Sequence, residues 1–125
     1  MDVHELTLMI GTGEPEAMVR FYGEVLGLPC DDRYADPVFK AGGASIRILN
    51  HAGISGRSGE PARMQINLFV TAVREEWERL SEQGVRFVRE PEEEWWGGVV
   101  ATMEDPDGNF VQIIEGTGKG QSSWT

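Results

Sequence analysis

The chain is poor in the groups that usually carry redox, metal or nucleophilic chemistry, with one cysteine, Cys30, and two histidines, His4 and His51, among 125 residues. A single thiol excludes an intramolecular disulfide, so nothing in the sequence calls for an oxidising compartment. With two histidines a Ser–His–Asp arrangement has little to draw on, and none is visible. Gly11-Thr12-Gly13 lacks the length and the following Lys of a phosphate-cradling loop. Positive charge is also scarce. Eleven Lys and Arg stand against 21 Asp and Glu, a formal net charge of −10, which argues against nucleic acid as a partner because that recognition needs clustered basic side chains. The same balance would steer a cationic small molecule toward the protein. No apolar run approaches the roughly 20 residues that cross a bilayer, so no membrane partner is expected. The opening Met1-Asp2-Val3-His4-Glu5 lacks the basic and apolar segments of a signal peptide, and a cytoplasmic location is the expectation.

What the chain does have is a repeated pattern. Leu6-Thr7-Leu8-Met9-Ile10 leads through a helical stretch to Gly27, then to Gly43 and Ala44-Ser45-Ile46-Arg47-Ile48-Leu49. Ile66-Asn67-Leu68-Phe69-Val70 leads through a second helical stretch to Gly84, then to Gly108 and Asn109-Phe110-Val111-Gln112-Ile113-Ile114. Residues 5–10 and 64–70 alternate apolar and polar, as half-buried strands do. Met18, Phe21, Tyr22, Val25 and Leu26 form a helical stripe that Gly27 can stop, and Val73, Trp77 and Leu80 form another before Gly84. Trp77 and the Phe21–Tyr22 pair are expected in the core, and Cys30, with no activating neighbour in sequence, as a buried or inert thiol. Further strands are expected near 30–34, 37–41, 44–49, 85–89, 96–104 and 109–114, with Asp105-Pro106-Asp107-Gly108 as a turn. The acidic run Glu90 to Glu94 reads as a solvated loop, residues 50–62 as the connection between halves, and the Gly- and Ser-rich tail 117–125 as loose.

Phe21-Tyr22-Gly23-Glu24-Val25-Leu26-Gly27-Leu28, Glu78-Arg79-Leu80 with Gly84-Val85, and Asp105-Pro106-Asp107-Gly108-Asn109, in this order and spacing, resemble the vicinal oxygen chelate superfamily, which includes glyoxalase I, bleomycin-resistance proteins and extradiol dioxygenases. The resemblance runs from about residue 5 to 115. It implies an α+β fold in which two βαβββ modules form an open, curled, eight-stranded barrel-like sheet. Module one would occupy about 3–55 and module two about 62–116 of a single domain, and the protein would form a homodimer. The fold leaves function open, because it hosts metal enzymes and metal-free binders alike.

Enzymes of this superfamily hold a divalent metal with His, Glu or Gln from the first and last strand of each module. Carried through the repeat, the resemblance puts these positions at Glu5, Arg47, Gln65 and Gln112. Arginine has no lone pair for a metal, and amide oxygens are weak donors beside imidazole or carboxylate. The reading adopted is therefore a metal-free binder of a small organic, cationic molecule, with no cofactor and an antibiotic-sequestering role. Glu5 and Arg47 are expected to pair across one cavity and to form a polar floor with Thr7, Gln65, Asn67 and Gln112. Met9, Phe69, Phe110 and one of Trp95 or Trp96 would supply apolar walls, a composition usual for small-molecule sites. Two alternatives stay open. One is a metal-dependent lyase or dioxygenase using Glu5, Gln65 and Gln112. The other is a metal-free enzyme with Glu5 as general base and Arg47 stabilising developing negative charge.

Overall fold

The computed structural model describes residues 1–116; the tail 117–125, expected to be loose, lies outside them. The chain divides into two compact units, Met1–Arg57 and the segment beginning at Ser58. In the first, β1 (Thr7–Thr12) is followed by α1 (Pro15–Arg20), a π-helical turn (Phe21–Val25), β2 (Val38–Ala41) and β3 (Ala44–Asn50). The sheet order is β1-β3-β2, with β1 parallel and β2 antiparallel to β3. A parallel pair needs a crossover, and the helix supplies it. Thr12 is fully buried, and its Oγ1 accepts the Glu14 N–H at 2.9 Å, turning the chain into α1 with Pro15 in the first turn. Gly27 takes φ +77 and Gly84 takes φ +85, the left-handed conformation that ends a helix at least cost for glycine. Met18 and Tyr22 are fully buried, and Phe21, Val38, Phe39, Ile46 and Ile48 are buried with them.

The second unit repeats the plan with β4 (Ile66–Phe69), α2 (Val73–Glu82), β5 (Phe87–Glu93), β6 (Val99–Glu104) and β7 (Phe110–Glu115). Its sheet order is β4-β7-β6-β5, again with one parallel pair, β4 and β7, and antiparallel neighbours elsewhere. One sheet face buries Ala101, Met103, Val111 and Ile113, with Val73 and Leu80 of α2 also buried. The Ala72 side chain cannot cap α2. Glu115 Oε1, from the end of β7, accepts the Val73 N–H at 2.8 Å instead. The Asp105–Gly108 turn forms as composition suggests. Asp105 Oδ1 accepts the N–H groups of Asp107 and Asn109, both at 2.9 Å, and Gly108 has φ +81.

The fold class is thus α+β, two open mixed sheets of three and four strands with a helix in each repeat. Of the eight strands expected, seven are present among the described residues; the segment 30–34 contributes only an isolated bridge between Cys30 and Phe39. The cause is local, because Asp31 accepts the Arg33 backbone N–H at 3.1 Å and bends the chain where a strand would run. The acidic run is a strand rather than a loop: β5 alternates half-buried Phe87, Arg89 and Pro91 with exposed Val88, Glu90 and Glu92. As the edge of its sheet it tolerates both a proline and charges. Cys30 is exposed, not buried, and Trp77 is half-buried at the rim of its helix stripe instead of enclosed. No helix among the described residues is long and apolar enough to cross a membrane.

Candidate functional site

Strand alternation decides which side chains share a face. In the first unit the row Leu8–Ile46–Phe39 lies toward α1, so the neighbouring rows Thr7–Ser45–Lys40 and Met9–Arg47–Val38 lie on the opposite face. Met9 is 52% exposed there. Arg47 does not meet Glu5, contrary to the pairing expected from the sequence. Its Nη2 donates to Asp36 Oδ2, while its Nε is buried without a partner among the described residues. Glu5 lies just before β1, and its Oε1 accepts from Tyr34 Oη at 3.1 Å and Arg33 Nη2 at 3.3 Å. Each charge thus answers to the segment 31–36, which joins the π-helical turn to β2. The same guanidinium of Arg33 grips buried Asp31 through Nε at 3.0 Å and Nη2 at 2.7 Å. This pairing with Arg33 pulls the Asp31 carboxyl down to about 2 against the desolvation that would raise it. The bond to Glu5 raises the Tyr34 phenol above its ordinary range.

In the second unit the face turned from the buried core carries a polar row. Asn67 on β4, Gln112 on β7 and Thr102 on β6 are register partners. Thr102 Oγ1 donates to Gln112 Oε1 at 3.1 Å, and Gln112 Nε2 donates to Asn67 Oδ1 at 2.9 Å. Arg89 of β5 pairs in register with Thr102 and carries the row to the sheet edge, where its Nη2 meets Glu94 Oε1. That partnership raises the Arg89 pKa. The row Phe69–Ile114–Val100 and the pair Phe110–Glu104 lie on the same face, and Phe69 is 63% exposed. Gln65 stands apart from the row, exposed before β4, its Nε2 donating to the Ala62 carbonyl at 3.2 Å.

The tryptophans occupy the tight turn between β5 and β6, closed by Glu94 N–H to Gly98 O at 2.7 Å and Gly97 N–H to Glu94 O at 2.9 Å. The Trp96 ring lies over Gly98, where an added Cβ would fall 1.7 Å from Cζ3. Trp95 is 78% exposed. Of the two, Trp95 presents its indole outward and Trp96 is committed to its own turn.

As a metal-binding set the four repeat-related positions fit poorly. Arg47 offers no lone pair. Gln112 Oε1 already accepts from Thr102, and Glu5 sits against a guanidinium whose charge would oppose a cation. Among the described residues no group of three or more His, Cys, Asp or Glu is arranged to hold a metal ion. Sequence reasoning found Asn67 and Gln112 but missed Thr102, Arg89, Asp36 and Tyr34. Thr102 sits inside the apolar run Val99–Met103, and only the register shows which face it takes. Asp36 and Tyr34 act from a segment with no periodicity to read.

A family model described as the Glyoxalase/Bleomycin resistance protein/Dioxygenase superfamily matches residues 6–113. No curated protein matches the chain significantly. Among solved structures, a glyoxalase-related enzyme from Fulvimarina pelagi is 24% identical over 93% of this chain and 88% of its own, with a TM-score of 0.71. A glyoxalase/bleomycin resistance protein/dioxygenase from Nocardioides is 19% identical over 100% of this chain and 91% of its own, with a TM-score of 0.73. A lactoylglutathione lyase from Agrobacterium tumefaciens is 16% identical over 92% and 95%, with a TM-score of 0.70. At these identities the structural likeness speaks for the fold alone.

Proposed function

The chain belongs to the Glyoxalase/Bleomycin resistance protein/Dioxygenase superfamily, and from that membership we propose that it is a metal-independent binder of a small organic cation, acting by sequestration as the antibiotic-binding members do. The observation that carries this reading is Arg47. A guanidinium held by Asp36 stands at the position to which the sequence resemblance assigns a metal ligand in the superfamily's enzymes. The donor set, an arginine, two amides and one carboxylate already paired with Arg33, does not suit a metal ion.

In each unit, taken by itself, the ligand-facing groups are those on the sheet face away from the helix. The Asn67–Gln112–Thr102 row is internally hydrogen-bonded, so it is preorganised and leaves the Asn67 amide N–H groups to donate. On the first unit Thr7 and Glu5 add polar contacts, and on the second Gln65 does. Met9 on the first unit, and Phe69, Phe110 and Trp95 on the second, supply apolar and aromatic surface, and an indole face attracts a cation. Trp96 acts by shaping the turn that carries Trp95. Large exposed side chains such as Phe69 and Met9 fit a homodimer, in which part of this surface meets a second copy.

Thermal unfolding against a panel of basic antibiotics, bleomycin included, and against Zn, Ni, Mn and Fe(II) salts tests the reading. A ligand at about 100 times its Kd adds roughly 2.7 kcal/mol, which raises Tm by several degrees, and at least one organic cation is expected to do so while the ions do not. Stoichiometric metal in protein purified without chelators, lost in Gln112→Ala, would overturn it in favour of a metal-dependent lyase or dioxygenase.

A further inference from the structure

The first unit has a groove on the helix side of its sheet, on the opposite face from Met9 and Arg47. It is a shallow groove, largely open to solvent, of about 440 Å³, a volume within the roughly 300–1,000 Å³ of small-molecule sites. Its origin is the π-helical turn. Leu26 N–H reaches back to Phe21 O at 2.8 Å, and this wide turn sets Gly23 against the Phe39 ring. A Cβ at position 23 would stand 2.8 Å from Phe39 Cε1, so the close approach depends on glycine. The side chain missing there leaves the ring edge and Val19 as an apolar floor, with Pro15 at one end. Single-turn π segments of this kind recur at functional sites.

Charge selects the occupant. Glu16, Arg20 and Glu24 line the groove at successive turns of the helix and are all exposed. Among the described residues none of the three forms an ion pair. Two carboxylates flank one guanidinium, so an anion drawn to Arg20 would meet a carboxylate on either side, whereas a cation near either end meets its carboxylate first. The net charge of −10 adds to the same preference.

We propose that this groove is a second binding site, for a hydrophobic amine whose apolar body lies on Val19, Gly23 and Phe39 and whose ammonium group is held by Glu16 or Glu24. The site is independent of the sheet-face reading and stands or falls separately.

Octylammonium, octanol and octanoate, titrated into the ¹⁵N-labelled full chain and followed by amide chemical shifts, provide the test. Octylammonium is expected to give saturable shifts centred on residues 16–24 and 39, with octanol weaker and octanoate weakest. Glu16→Gln/Glu24→Gln, a change of exposed side chains, is expected to raise the octylammonium Kd about fivefold while leaving octanol binding unaltered. Val19→Trp fills the floor and is expected to abolish the shifts; should that variant fold poorly, the charge double variant still decides. The proposal is overturned by octanoate binding as tightly as octylammonium, by a double variant with unchanged octylammonium affinity, or by saturable shifts found only at Asn67 and Gln112.

Discussion

Arg33 divides its guanidinium between two carboxylates, and the division explains both of them. Toward Asp31 it offers two nitrogens at 2.7 and 3.0 Å, and toward Glu5 a single longer contact of 3.3 Å. The buried acid therefore stays ionised well below the usual carboxylate range, whereas Glu5 stays exposed. A carboxyl whose folded pKa lies near 2, against 3.8 unperturbed, contributes stability that is complete above about pH 4 and is lost as pH falls toward 2. Asp31→Asn is accordingly expected to lower Tm at neutral pH and to flatten the Tm decline between about pH 4 and 2. Equal declines in variant and parent, measured by thermal scans across that range, would refute the assignment. At this scale the sequence was legible where alternation applies: Thr7, Met9, Asn67, Phe69 and Gln112 fall on the faces expected. It was illegible where a pairing depends on the path of an aperiodic segment. The predicted Glu5–Arg47 pair failed for that reason, since Asp36, Tyr34 and Arg33 reach those side chains from the segment ahead of β2.

Helix ends show how one element completes another. The first helix is reached through a turn fixed by its own neighbour Thr12, but α2 begins after Ala72 and borrows Glu115 from β7. A carboxylate at that end also meets the positive end of the helix dipole. Glu115→Ala is expected to cost about 1 kcal/mol, and Glu115→Gln, which keeps an acceptor but not the charge, less than that. Denaturant unfolding reads both, and a Glu115→Ala midpoint equal to that of the parent would show the contact to be idle. The sequence announced the helix stops, Gly27 and Gly84, and the Asp105–Gly108 turn, because their residues act locally. It did not announce this cap, made across 42 residues. Nor did it announce the π-helical turn, whose residues carry the same apolar stripe as an ordinary helix.

At the scale of the whole molecule, each unit carries at one border of its sheet a parallel pair made possible by its helix, β1 with β3 in one and β4 with β7 in the other. That repeated plan was readable from the sequence alone. The charge surrounding both is −10, so association with a cationic ligand is expected to be steered and to slow roughly tenfold between 0.05 and 0.5 M salt, as screening shortens the field. Stopped-flow association rates measure it, and a rate indifferent to salt would argue for a neutral ligand. The edge of the second sheet has a consequence for self-association. Pro91 withholds an amide from any strand that might align with β5, and Glu90, Glu92 and Glu93 repel a copy of the same strand at neutral pH. Growth by strand-to-strand addition on that flank is discouraged, which leaves the uncharged Ile66–Phe69 border as the side on which two molecules could zip together. Acidification toward the isoelectric point near 4.6 weakens the guard, so clumping should set in there before the core gives way.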